Sequence, residues 1–140
     1  MRGLRRAAKL SAMRRMRAGS GIDAARKRFG YDASHLVLMH HGILHPNKGN
    51  DRILRSLAKL RPALPQLRYL LVGDGAEMAN LRALAKELAI EDIVQFTGWL
   101  PKLSDVNEAI NAGDIGLVML RILAAAVSVT GSRRTIAGRE

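Results

Sequence analysis

Between residues 36 and 120 the sequence switches repeatedly between two hydrophobic periods. Runs of strand length at 36–41, 68–72, 93–97 and 114–120 are largely apolar, the pattern of strands covered on both faces. Between them lie stripes at helical spacing: Ile53, Leu54, Leu57, Ala58 and Leu60, then Met78, Leu81, Leu84, Ala85 and Leu88, then a third helix ending near Ala112. The connections are short. Strand and helix alternating three times with short links predict parallel strands joined by crossover helices, because a hairpin cannot join a parallel pair. The expected fold is therefore α/β, a Rossmann-like parallel sheet of about four strands with flanking helices. Asn50 or Asp51 is the expected cap of the first crossover helix, and Ser104 or Asp105 that of the third. Ser20-Gly21-Ile22-Asp23 has the spacing of a capping box, opening a short helix that stops at Gly30.

Charge divides the chain into three parts. Residues 1–30 carry a net charge of +9, residues 31–120 a net of −1 and residues 121–140 a net of +3, within a total of +11. The body is thus electrostatically ordinary, and its few basic residues are not interleaved with base-stacking aromatics, so no specific nucleic-acid role is expected. Residues 1–19 read as a basic arm, disordered or a frayed helix, which leaves room for peripheral membrane contact. Residues 20–120 form the expected domain, and residues 121–140 a divergent C-terminal tail in which 124–130 fits either a helix or a strand. The longest apolar stretch, 115–130, is shorter than the roughly 20 residues a bilayer requires and is broken by Arg121, so no transmembrane segment is expected. The chain has no cysteine, which removes disulfides and thiol chemistry and fits a cytoplasmic setting.

In open parallel sheets, ligands bind outside the carboxyl ends of the strands. Three glycine turns leave strands at that edge: 42–49, 73–75 and 98–101. Tight strand-to-helix turns need glycine whatever the function, but three on one edge favour a site. In the first turn, a glycine that lets a ligand approach, a lysine on a flexible stem and the amides of a helix N-terminus suit a phosphate-sized anion. Generic fingerprints fail here. Gly73-Asp74-Gly75 is followed by Met78 where a dinucleotide motif needs its third glycine, and the first turn lacks the Gly-Lys-Ser/Thr ending of a P-loop. His35, His40, His41 and His45 do not suggest a metal site, because neighbouring strand residues point to opposite faces and no carboxylate cluster accompanies them.

Taken together, five blocks carry a more specific likeness: Val37-Leu38-Met39-His40-His41-Gly42, Pro46-Asn47-Lys48-Gly49-Asn50-Asp51, Leu70-Leu71-Val72-Gly73-Asp74-Gly75, Ile93-Val94-Gln95-Phe96-Thr97-Gly98-Trp99 and Asn111-Ala112-Gly113-Asp114-Ile115-Gly116-Leu117. In order and spacing they resemble the glycosyl transferases group 1 family (glycosyltransferase family 4), across about residues 22–120. The resemblance implies one half of a GT-B fold, the C-terminal half that holds the nucleotide-sugar, in a retaining enzyme that needs no metal and no cofactor. Its donor would be a UDP- or GDP-sugar. It further implies that Gly42 lies beneath the donor diphosphate beside Ile43, that Lys48 with Gly49 pairs with it, that Gly73, Asp74 and Gly75 line the sugar-nucleotide region, and that Gly98, Trp99 and Leu100 line the base region. Lys48 is the expected catalytic residue. Negative charge grows on the leaving phosphate, and a site without a metal must meet it with fixed cations and donors.

Two departures qualify the likeness. The family commonly has an arginine after the first-turn glycine, and this chain has Ile43, so His41 or His45 are the candidate substitutes. Beyond Leu120 the family carries two glutamates that engage donor sugar and ribose, whereas residues 121–139 contain no acid. A truncated or split glycosyltransferase is expected, with doubtful activity alone and with an acceptor-binding domain or self-association as its protein partner. A non-catalytic nucleotide-binding or interaction module is the alternative.

Overall fold

The computed structural model describes residues 20–120, 123–129 and 135–136. The basic arm, residues 1–19, and parts of the tail therefore lie outside the described residues. In chain order the elements are α1 (Ser20–Arg28), β1 (Leu36–His41), a 3-10 turn (Pro46–Lys48), α2 (Asn50–Leu60), β2 (Leu67–Val72), α3 (Met78–Glu87), β3 (Val94–Phe96), α4 (Leu103–Ala112), β4 (Ile115–Leu120), β5 (Leu123–Val129) and β6 (Thr135–Ile136). The sheet order is β3-β2-β1-β4-β5-β6. Four parallel strands form its body, with β1 central between β2 and β4. This is the Rossmann-like arrangement expected from the alternating periods.

Alternation along each central strand sorts the core into two layers. Tyr69 and Leu71 join Leu44, Ile53, Leu54, Leu57 and Leu81 in a cluster on the α2 and α3 side. Val37, Met39, Leu70 and Val72 point the other way, to Ala25, Tyr31, Ala109 and Ala112 on the α1 and α4 side. A strand buried on both faces has no polar side to show, which is why these runs read as continuous hydrophobics.

Arg26 locks the second layer. This guanidinium, with the residue only 8% exposed, donates to the carbonyls of Ala112 (3.1 Å), Asp32 (2.8 Å) and His35 (2.8 Å) and to Asp114 Oδ2 (3.1 Å). The same Asp114 oxygen accepts from Val37 N–H at 2.8 Å, so one charge pair ties α1, the approach to β1 and the approach to β4 together. At the surface Arg28 reaches across to Asp105 and Glu108 of α4.

Three expectations change. The four parallel strands do not end at an open β4 edge: β5 pairs antiparallel with β4, and β6 with β5. The stretch left open as helix or strand is thus a strand, and the sheet runs on past residue 120 because an adjacent apolar segment can satisfy the β4 backbone directly. The capping residues also differ. Gly49, at φ 67°, is both the C-cap of the 3-10 turn and the N-cap of α2, while Asn50 is the first helical residue, buried, with its Oδ1 accepting from Tyr69 Oη at 2.7 Å. At α4 the N-cap is Lys102, whose ammonium can only donate and so makes no cap bond, while Ser104 and Asp105 lie inside the first turn, where Asp105 accepts from Arg28.

Candidate functional site

The three glycine turns meet at the carboxyl edge of the sheet, as the parallel order requires. Their approach is close. Gly73 has φ 131°, and a Cβ there would lie 2.1 Å from the carbonyl oxygen of Gly42; a Cβ on Gly75 would lie 2.4 Å from that of Leu44. The first two turns therefore touch backbone to backbone, stitched by Gly42 N–H to Val72 O (3.0 Å) and Leu44 N–H to Asp74 O (3.0 Å). Gly73 also bridges to Gly98, and its N–H donates to Thr97 Oγ1 at 3.3 Å.

Between these turns and the start of α4 opens a crevice of about 320 Å³. Its wall includes His41, Gly42 and Ile43 from the first turn, Val72, Gly73 and Asp74 from the second, and Trp99 and Leu100 from the third, with Leu103 and Val106 of α4 closing one side. Six of the ten expected site residues or their near neighbours thus come together. Trp99 is 74% exposed and does not pack over its own turn; with Ile43 and Leu103 it forms an apolar rim. A wall of this kind suits a flat apolar ring system more than a naked anion.

Lys48, Gly49, Gly75 and Gly98 stand outside that wall. For the glycines the reason is packing: Gly75 accommodates the Leu44 backbone, while Gly49 and Gly98 supply left-handed turns at φ 67° and 68°. Lys48 ends the 3-10 turn, half-buried, next to β4 rather than in the crevice lining. Its charge is felt at His40, where it acts against protonation. Gly42 and Leu44 donate to the second turn, Asn47 N–H to His45 Nδ1 (3.2 Å) and Lys48 N–H to His45 O (2.9 Å), so the tight loop satisfies much of its own backbone.

The wall contains an acid as well. Asp74 turns its Oδ1 back to Gly75 N–H at 2.7 Å, which directs that carboxylate oxygen into its own turn. Sequence reasoning missed His40, judged only by its alternation with His41. It is 2% exposed, on the α2 side of β1, and its Nδ1 lies 3.3 Å from Leu117 O of β4. Burial holds this imidazole below its usual range, with the charges of Lys48 and His41 pushing the same way and the Leu117 carbonyl opposing them. The available signal was a polar residue at a position whose parity matches Leu36 and Leu38, both packed on the core.

Comparison with known proteins agrees with this architecture. The profile of "Glycosyl transferases group 1" matches residues 22–121. N-acetyl-alpha-D-glucosaminyl L-malate synthase of Bacillus anthracis is 30% identical over 118 residues, covering 77% of this chain and 30% of that protein. D-inositol 3-phosphate glycosyltransferase of Thermomonospora curvata is 38% identical over 91 residues, covering 59% and 21% respectively. Among solved structures, Anabaena HepE in complex with UDP and glucose aligns with a TM-score of 0.58 and 28% identity over 69% of this chain and 26% of its own. The lipopolysaccharide-biosynthesis glycosyltransferase WaaG aligns with a TM-score of 0.61 and 26% identity, over 69% and 25%. The chain spans less than a third of the length of these relatives. Residues 22–121 cover most of the described sheet and all three glycine turns, and by that match the chain belongs to the glycosyl transferases group 1 family.

Proposed function

We propose that this chain is the donor-binding part of a glycosyltransferase: it holds a nucleoside-diphosphate sugar in the crevice at the carboxyl edge of the sheet. With an acceptor-binding domain, it transfers the glycosyl group. The observation that carries this reading is the backbone-to-backbone contact of Gly42 and Gly73 at the floor of an edge crevice with an apolar rim. Gly42, where a Cβ would meet nothing nearer than His40 Nε2 at 3.8 Å, leaves room for a diphosphate, and Trp99 and Leu100 offer a surface to the base. UDP in the HepE complex and the GDP-mannose dependence of a Corynebacterium glutamicum mannosyltransferase, 29% identical over 109 residues, support a UDP- or GDP-sugar. Lys48 is the electrostatic stabiliser in this proposal, its stem long enough to swing toward a bound anion. Retention of configuration, a cytoplasmic setting and assembly with an acceptor domain or a second copy belong to the same proposal.

The test is thermal. A ligand that binds only the folded state at about 100 times its dissociation constant stabilises by about 2.7 kcal/mol, a rise in Tm on the order of 10 °C for a domain of this size. UDP-glucose or GDP-mannose is expected to give that rise, and Lys48→Ala to weaken binding by about 10- to 100-fold, the worth of a charged hydrogen bond. No rise with either sugar nucleotide refutes the donor reading. The second reading, a non-catalytic nucleotide-binding module, is favoured by Ile43 in the crevice wall and by the absence of acids in residues 121–139. Binding without transfer or donor hydrolysis, with or without candidate acceptor domains, would select it.

A further inference from the structure

A diphosphate in this crevice meets few cations. The wall has no lysine or arginine, Asp74 is part of it, and the first turn uses much of its own backbone. Lys48 alone is one positive charge against two phosphates.

His40 lies outside that wall, on the opposite face of β1 from His41 and close under Gly42. Its Nδ1 faces a carbonyl oxygen, which only accepts, so the neutral ring carries its proton on Nδ1 and leaves Nε2 as a bare lone pair. Nε2 is buried and has no partner among the described residues. It sits 3.8 Å from where a Cβ on Gly42 would be, under the glycine that floors the crevice. A buried nitrogen without a partner costs free energy unless another state of the molecule uses it. The charged and titratable groups that act on this ring are Lys48 from the 3-10 turn and His41 from the same strand. Across the sheet it faces Leu71 in β2 by register and the Leu117 carbonyl of β4.

Resting on the donor reading above, we propose that His40 supplies the second cation of the diphosphate site: donor binding draws one proton from solvent onto Nε2, placing an imidazolium beneath Gly42. The free protein keeps the ring neutral because burial, with the Lys48 charge acting the same way, opposes an imidazolium. A bound diphosphate reverses the sign of that field. The imidazolium then donates from Nδ1 to Leu117 O, while Nε2–H faces the bound diphosphate across Gly42. When the glycosyl bond breaks, the same charge counters the growing negative charge of the leaving diphosphate. His40 acts as an electrostatic and positioning residue, and it occupies a role for which His41 and His45 were the sequence candidates.

Isothermal titration of the full chain with UDP-glucose and with GDP-mannose, in two buffers of different ionisation enthalpy near about pH 7.5, reads the proton directly. These diphosphate diesters carry no group that titrates near neutrality, so any uptake belongs to the protein. The expected result is uptake approaching one proton, with affinity tightening by up to about tenfold per unit of falling pH above neutrality. In His40→Gln the uptake disappears and affinity becomes flat with pH; in His35→Gln, a histidine outside the crevice wall, the uptake persists. Ring-nitrogen chemical shifts of His40 in the saturated wild type supply a readout that needs no His40 variant to fold. Binding with no proton uptake, uptake that survives His40→Gln, or a His40 ring that stays neutral when saturated overturns this assignment and leaves the donor reading standing. Failure of both sugar nucleotides to bind at any pH tested overturns the donor reading and this assignment with it.

Discussion

Replacing Arg26 by Met keeps most of the aliphatic stem and deletes the guanidinium that joins α1 to the sheet. Four contacts disappear together, to Asp114 Oδ2 and to the carbonyls of Ala112, Asp32 and His35. The side chains of Arg26 and Asp114 are only 9% and 12% exposed, so the carboxylate left behind is poorly hydrated. Removing one partner of a buried pair costs about 3–5 kcal/mol, here with Asp114 losing its countercharge while keeping the Val37 N–H. With a urea dependence of about 2 kcal/mol per molar, the unfolding midpoint should fall by roughly 2 M. Urea titration followed by Trp99 fluorescence and by circular dichroism measures it with local and global probes. Because Arg26 and Asp114 are in direct contact and their effects are coupled, adding Asp114→Asn to Arg26→Met should lose less than the two single changes combined. A drop below about 1 kcal/mol, the worth of an exposed ion pair, would refute the keystone role of Arg26.

Two further outcomes follow from the site. Gly73→Ala places a methyl group 2.1 Å from the Gly42 carbonyl oxygen at a φ of 131°, so the first two turns must separate. A loss of about 2–4 kcal/mol by urea titration, with sugar-nucleotide binding reduced even where the protein stays folded, is expected, and an unchanged midpoint would contradict the described loop contact. His40 gives a pH signature in the free protein. Its folded pKa lies below the ordinary value of 6.5, so the unfolded chain binds the proton first. The contribution of a neutral His40 is then fully present above about pH 6.5 and declines as pH falls toward the folded pKa. Wild type should lose stability through that window more steeply than His40→Gln, and parallel curves would exclude a buried neutral imidazole.

Much of this architecture is determined by the sequence through period alone. Continuous apolar runs at 36–41 and 115–120 can only be strands covered twice, and stripes such as Ile53, Leu54 and Leu57 can only be helices laid on them. Parallel order then brings the turns at Gly42, Gly73 and Gly98 to one edge, which is why the neighbourhood of the crevice was legible without coordinates. Contacts between turns were not. That Gly75 serves the Leu44 backbone instead of a ligand, that Gly49 rather than Asn50 caps α2, and that β5 covers the β4 edge depend on what lies across space. The same holds for His40 and Arg26, two of the three buried polar residues among those described. Alternation puts His40 and His41 on opposite faces, but only the packed sheet decides which of them lies in the crevice wall and which lies sealed beneath Gly42. Arg26 looks in the sequence like one more charge on a basic helix. Two of its partners, Ala112 at the end of α4 and Asp114 just before β4, lie 86 and 88 positions away, and only the folded chain supplies that proximity.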